Sequence, residues 1–460
     1  MGFLAKITFY FNKKQNRNDS FWSFISFLLS FINSLKSQIL VKENKSLTYK
    51  FATMNSSKIV NDPVYGFLTI PSALIFELIE HPFFQRLRRI KQLGVTDFVY
   101  PGATHTRFHH ALGALNLMVK AVETLKQKGV KITDAESDAL YAGILLHDIG
   151  HGPYSHSLEN SIIEGVAHER ISYLLMKKLN ESFGGKLDLM ISIFSNQYKK
   201  KFLYQLISGQ LDMDRLDYLS RDSFFTGVVE GQVGAERIIN MLNVVGDELV
   251  VEEKGIYSIE KFIIARRMMY WQVYLHKTVV GVDVMLIQIM KRAKFLGLQS
   301  LLKEPISPAL HYFLNHTISV DAIENNEDVL KCFIQLDDSD ILNAIKQWQF
   351  SDDKVLRILS ESFINRRLPK VMVSDKPIPQ EEIEKIKKST IKKFKIKEDE
   401  VSYFVNHSIM KNDAYRVDKY NGIKVLKKNG EVLDVAEASD NYTLKALKDT
   451  VKKYYLSFYR

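Results

Sequence analysis

The stretch Leu145-Leu146-His147-Asp148-Ile149-Gly150-His151-Gly152-Pro153-Tyr154-Ser155-His156 decides how the rest of the chain reads. An apolar run ends in an imidazole beside a carboxylate, a donor pair suited to a divalent cation. Gly150, Gly152 and Pro153 stop a helix there and let the backbone turn close to whatever is bound. A lone His–Asp pair is more often a helix C-terminus with capping histidines, so the reading depends on partners elsewhere.

Thr133-Asp134-Ala135-Glu136 has the pattern of a capping box. It starts a helix running through Leu140, Gly143, Ile144 and Leu146 into His147-Asp148. Upstream, His105-Thr106-Arg107-Phe108-His109-His110 opens another helix, continued by Leu112, Leu115, Val119 and Val122. Downstream, Ala167-His168-Glu169-Arg170 begins a third. Asp214, Tyr218 and Asp222 follow at i, i+4 and i+8 on one helix face. Carboxylates on one face repel unless they are solvated, paired or neutralised, and a cation is a natural neutraliser. Arg266, Tyr270, Tyr274 and Lys277 form one stripe; Arg and Lys suit phosphates, Tyr suits a sugar or base face. The blander alternative for that stripe is a core helix with snorkelling basic residues. Phe83–Leu93 reads as a basic amphipathic helix that aligns Gln85, Arg88 and Gln92, either a solvated face or polar ligands to an anion.

The chain has 460 residues, 46% hydrophobic, with only 10 Pro and 22 Gly. Long segments of helical periodicity predict a mainly α protein with a multi-helix core at 54–300 and a helical and α+β lobe at 301–460. In that lobe, 300–365 predicts helices without a chemical signature, and Glu381–Phe394 a charged surface helix. Val401–Val405 looks strand-like. Ile423–Leu426 and Glu431–Val435 flank the hairpin signal Lys427-Lys428-Asn429-Gly430. Cys332 is the single cysteine, which excludes disulfide frameworks and Cys-based zinc sites within the chain and suits a reducing cytoplasm. The net charge of +10 favours anionic partners: nucleotides, nucleic acid or an acidic membrane surface. Residues 1–53 differ in character. Lys6, Lys13, Lys14 and Arg17 precede the serine-rich apolar run Phe21–Leu35. That run is short for a bilayer span and lacks an evident cleavage site. A membrane-surface or partner helix, a weak signal, and an extension upstream of a start at Met54 all stay open.

The order His110…His147-Asp148…Asp214 across successive helices resembles the HD superfamily of metal-dependent phosphohydrolases. The resemblance covers about Lys58 to Asp222 and Arg266 to Lys277. Asn61-Asp62-Pro63-Val64-Tyr65-Gly66, Phe84-Gln85-Arg86-Leu87-Arg88, Lys91-Gln92-Leu93-Gly94 and Tyr100-Pro101-Gly102-Ala103-Thr104-His105-Thr106-Arg107-Phe108 look like the catalytic core of the dNTP triphosphohydrolases of the SAM-and-HD-domain type. There is no room ahead of this core for a SAM domain.

The resemblance implies that His110, His147, Asp148 and Asp214 hold a divalent metal, with Mn, Fe, Zn, Ni or a more hydrated Mg all compatible. It places His151, His156 and His168 around the reacting phosphate, with His168 as general acid. Arg107, Arg215, Tyr218 and Arg266 match phosphate contacts, Arg215 standing where the family usually has lysine. Gln92, Leu93, Asp222 and Tyr274 match sugar contacts. Lys58, Asn61, Glu80, Gln85 and Arg88 match an activating-nucleotide site; Glu80 replaces an aspartate, and the acidic segment Asp247–Lys254 lies where basic residues would hold activator phosphates. The implied activity is hydrolysis of dNTPs, dGTP among them, to deoxynucleoside and triphosphate, by a cytoplasmic homodimer or tetramer. Two alternatives are action on another phosphoester (a nucleoside monophosphate, a cyclic nucleotide or ppGpp) and a nucleotide- or nucleic-acid-binding module.

Overall fold

The computed structural model describes residues 58–163, 165–412, 415, 422–441 and 450–459, and 57–460 form one compact unit. The 1–53 extension and its apolar run lie outside the described residues. Strands β1 (Ile59–Asp62) and β2 (Gly66–Thr69) pair antiparallel. Asp62 shapes the turn between them, accepting from the backbone N–H of Val64 (2.9 Å) and Tyr65 (3.0 Å). Ser72 then caps α1 (Ala73–Glu80).

The next expected helix does not form. Pro82 sits at the start of a single α-helical turn, Pro82–Gln85, which passes into a 3₁₀ turn, Arg86–Arg89. The backbone then extends and Lys91 bridges to Thr106. Arg86 is buried, donating to the Leu336 carbonyl at 2.8 Å, so tertiary contacts override the local pattern. Gln92 therefore leaves the face it was expected to share with Gln85 and Arg88.

Helix α2 (Arg107–Gln127) runs through the core, with α3 (Asp134–Leu146) and α5 (Met213–Thr226) packed on it; α4 (His168–Ser182) lies between these in the chain. Every residue of α3 from Ala139 to Leu146 is buried, as an all-round apolar helix must be. Glu136 completes the box at its start, accepting from Thr133 N–H at 2.8 Å. Strands β3 (Leu242–Val245) and β4 (Glu248–Glu252) form a hairpin, so the acidic 247–254 segment spans its turn and second strand. Helix α6 (Ile256–Met269) follows, then a π-helical turn, Tyr270–Tyr274, and α7 (Lys277–Leu298). The π-turn ends the stripe at Tyr274 and starts a new helix at Lys277.

Beyond residue 300, five short helices precede β5 (Lys370–Ser374), among them α8 (Asp338–Trp348). The charged helix Gln380–Phe394 forms as expected. Val401–Tyr403 is a 3₁₀ turn rather than a strand, and β6 begins only at Val405 (Val405–Asn412). The predicted hairpin pairs β7 (Lys424–Leu426) with β8 (Val432–Asp434). Strand β7 also adds in parallel to β4, so this sheet joins residues far apart in sequence. A three-stranded sheet, β5–β9–β6, is completed by β9 (Val451–Phe458). The α7 helix packs on both β5 and the helix Lys354–Ile364, tying these elements to the core. Among the described residues no single helix is long and apolar enough to cross a membrane.

Burial alone would raise the Glu136 carboxyl, but Lys200, the Thr133 N–H and Tyr198 hold it down at about 2. A depressed carboxylate stabilises the fold above its unfolded pKa near 4.5 and loses that contribution as pH falls toward 2. Glu136→Gln should cost about 1–3 kcal/mol at neutral pH. Urea denaturation of the variant between pH 5 and 3 should show correspondingly weaker acid destabilisation.

Candidate active site

Helices α2, α3 and α5 bring four donors together. His110 Nε2 lies 3.1 Å from Asp214 Oδ1 and 3.4 Å from His147 Nε2. His147 Nε2 lies 3.5 Å from Asp214 Oδ1 and 3.3 Å from Asp148 Oδ1. Donors about 2.1 Å from a common centre stand roughly 3.0–3.4 Å apart, so His110, His147 and Asp214 could hold one divalent cation, with Asp148 beside His147. The far sides of both rings are held. His110 Nδ1 meets Asp217 Oδ2 at 2.7 Å, and His147 Nδ1 meets the Ile144 carbonyl at 2.7 Å, which turns each Nε2 inward. Burial would lower the His110 imidazole, but Asp214 and Asp217 raise it to about 10. The same carboxylates would also attract a cation, which would compete with that proton. Asp148 also pairs with Arg107 Nη1, and its carboxyl lies well below the usual range, burial being outweighed by Arg107, His147 and His151.

Gly150 makes the turn possible: a side chain there would run into the backbone of His168, Ile171 and Ser172. Beyond it, three histidines converge. The His151 and His168 rings stack at 3.7 Å, and His156 meets them edge-on at 4.8 and 5.2 Å. Glu159 ties two of them, with Oε1 at 2.6 Å from His168 Nδ1 and Oε2 at 3.0 Å from His156 Nδ1. Burial and the Arg107 charge push His151 well below the usual imidazole range, so it is neutral at pH 7.

Asp148, Asp214 and the three histidines His151, His156 and His168 line a cavity of about 720 Å³. Its lining includes Gln92, Leu93, Arg107, Arg215, Tyr218, Asp222, Arg266 and Tyr274, so every expected phosphate and sugar residue reaches it. Asp222 is buried, one oxygen 2.7 Å from His105 Nε2 and the other accepting from the Tyr274 hydroxyl at 2.7 Å. Gln92 Oε1, His151 Nδ1, Arg215 Nε and Arg266 Nε are buried in this wall without a partner among the described residues. Arg215 departs from expectation in one respect: another of its nitrogens is bound to Asp212, the residue that caps α5, so only part of its fork faces the cavity. Lys277, last of the sequence stripe, is not part of the lining. Neither are Lys58, Asn61, Glu80, Gln85 and Arg88: Gln85 accepts from Arg88 at 2.8 Å, Arg88 lies over the Phe108 ring, and Lys58 over Phe76.

Three residues went unassigned in the sequence. Glu159 carries a weak signal, three residues after His156. Asp217 and Arg221 form an i, i+4 pair inside the acidic helix, and Arg221 joins Asp217 (2.9 Å) to Asp62 (2.8 Å). Removing the carboxylate behind His110 should weaken metal binding about 10–100-fold. Asp217→Asn titrated with Mn²⁺ should show that loss with its helical circular dichroism intact.

A family model for the HD domain matches residues 107–222, and one for the HD associated region matches 233–295. A phosphohydrolase from Bacteroides thetaiotaomicron is 50% identical with TM-score 0.85, covering 88% of this chain and all of that one. The uncharacterized protein YwfO of Bacillus subtilis is 33% identical over 332 residues, 70% of this chain and 73% of that protein. The deoxynucleoside triphosphate triphosphohydrolase SAMHD1 homolog of Dictyostelium discoideum is 29% identical over 275 residues, but the match spans only 53% of its length. With the His₂Asp₂ cluster, these matches show that the chain belongs to the HD-domain phosphohydrolases.

Proposed function

We propose that this phosphohydrolase cleaves dNTPs, dGTP among them, to a deoxynucleoside and inorganic triphosphate. One observation carries the reading: a single cavity brings Asp148 and Asp214 of the His/Asp cluster together with the arginines Arg107, Arg215 and Arg266 and a sugar-sized polar set of Gln92, Asp222 and Tyr274. The likeness to the Dictyostelium triphosphohydrolase supports it.

His110, His147, Asp148 and Asp214 would hold a divalent cation, which supplies Lewis-acid polarisation of a phosphoryl oxygen and a more acidic water. The chain's own groups do the rest. Arg215 and Arg266 offer buried N–H donors that match phosphate oxygens. His151, being neutral, contributes a hydrogen bond without adding charge. Water forms a bond to the α-phosphorus as the bond from phosphorus to O5′ breaks, and O5′ takes a proton. His168 supplies that proton, and Glu159 on its Nδ1 fixes the ring. Asp222 and Gln92 would bind a 3′-hydroxyl, while a 2′-hydroxyl would meet Tyr274. An activating nucleotide at Lys58, Asn61, Glu80, Gln85 and Arg88 and a homo-oligomer belong to the same proposal.

The test is a product assay with Mn²⁺ or Mg²⁺ and all four dNTPs, resolved by chromatography. Deoxynucleoside plus triphosphate is expected; a metal-loaded protein that leaves dNTPs intact, with and without added GTP, would redirect the reading to another phosphoester. His147→Ala combined with Asp148→Ala should abolish metal binding and turnover at unchanged helicity. Tyr274→Ala should raise the turnover of GTP relative to dGTP about tenfold or more, the scale of one removed clash.

A further inference from the structure

Asp338 lies 190 residues beyond Asp148, in a segment without any chemical signature in its sequence, yet it is bonded to two chain segments that lead into the cavity lining. It is the first residue of α8 and is buried. Its two oxygens serve two different chain segments. Oδ2 accepts from the Lys91 backbone N–H at 2.9 Å, and Oδ1 accepts from the Tyr154 backbone N–H at 2.7 Å. Lys91 immediately precedes Gln92 and Leu93 in the cavity wall. Tyr154 lines the cavity together with Ser155 and His156, on a loop that abuts the Lys91–Gly94 segment.

The two segments are joined a second time, from inside. Ser155 donates to the Lys91 carbonyl at 2.8 Å and accepts from Arg107 Nε at 2.8 Å. Arg107 in turn pairs with the metal-site carboxylate Asp148. Both backbone polar groups of Lys91 are thus held, one by Asp338 and one by Ser155. Tyr154 and Ser155 have φ of +54° and +53°, a left-handed conformation that non-glycine residues adopt only when their surroundings impose it. Asp338 binds the N–H of the first of this strained pair. The turn before α8 is itself fastened to the same region, by Arg86 on the Leu336 carbonyl (2.8 Å) and Arg89 on Asp337 (2.5 Å).

We infer that Asp338 is a positioning residue: its carboxylate clamps the segment carrying Gln92 and Leu93 to the strained loop carrying Ser155 and His156, and so fixes the position of these two neighbouring parts of the cavity lining relative to each other. An amide cannot replace it, because asparagine offers one acceptor oxygen where two N–H groups approach from different segments. Burial pushes Asp338 up to about 6 even with the Lys91 and Tyr154 N–H groups holding it down. A carboxylate that folding must desolvate to this extent is a poor choice for stability alone. The inference rests on the cavity being the site of hydrolysis and holds for any phosphoester cleaved there.

Asp338→Asn, loaded with Mn²⁺, is compared with the parent protein and with Asp337→Ser, which keeps a helix cap but loses the Arg89 pair. A displaced wall of about 1 Å predicts a fall in kcat/KM of about 10–100-fold for Asp338→Asn. Metal content should be full, the melting temperature should stay within a few degrees, and Asp337→Ser should match the parent. Calorimetric titration with inorganic tripolyphosphate gives a readout independent of the reaction, and Asp338→Asn should bind it at least several-fold more weakly. Parental kcat/KM and tripolyphosphate affinity in Asp338→Asn would overturn the inference, as would an activity loss matched by the unfolded fraction. If Asp338→Asn does not fold, Asp338→Glu, which keeps the charge but moves it by one methylene, is read in the same way. A parent protein that leaves dNTPs intact yet binds tripolyphosphate would count against the proposed substrate and leave the clamp to be judged on the binding arm.

Discussion

The structure depends on a line of buried charge that starts at the metal site and ends at the first hairpin. His110 leans on Asp217, Asp217 is bound by Arg221, and Arg221 reaches Asp62 in β1. Asp217 and Arg221 are fully buried. Ions in such a place are tolerable only when each is paired, and removing one partner strands the other at a cost of about 3–5 kcal/mol. The line fixes the rotation of α5 against α2 and so the position of Asp214 relative to His110. Gly113 in α2 belongs to the same constraint, because a side chain there would overlap the Asp217 and Arg221 side chains. One network therefore sets both the helix packing and the orientation of a metal-facing ring.

Electrostatics divide the cavity into regions with different work. Around the His₂Asp₂ cluster, carboxylates outnumber fixed cations, and the site draws positive charge. A few residues away, burial and the Arg107 charge keep His151 neutral, while Glu159 holds the His168 ring. Asp222 is held from two sides by His105 and Tyr274, which makes a rigid wall. The proposed substrate, with a multiply charged end and a small hydroxylated ring, would use both regions.

Much of the site was legible in the sequence because helical spacing transmits directly into space. His147-Asp148 at a helix end, and Asp214, Tyr218 and Asp222 on one face, could be placed from periodicity and capping signals alone. The reading failed where long-range contacts outweighed local preference. Phe83–Leu93 has a helical pattern, but Pro82 and the burial of Arg86 against the 336–338 turn break it after one turn. Val401–Val405 has strand-forming residues, yet pairing with β9 starts at its last residue. Asp338 left no trace, since an aspartate at a helix start is ordinary and only its distant partners distinguish it.

By itself the sequence determined the mainly helical class and offered His110, His147, Asp148 and Asp214 as candidate donors. These follow from spacing and residue chemistry, which are local. The tertiary structure alone decided which carboxylate stands behind His110, how Glu159 is shared between two histidines, and that Asp338 bridges two neighbouring parts of the cavity lining. Each of those depends on two segments meeting after folding, and a buried hydrogen bond between them is strong because water is excluded only once the rest of the chain has closed around it.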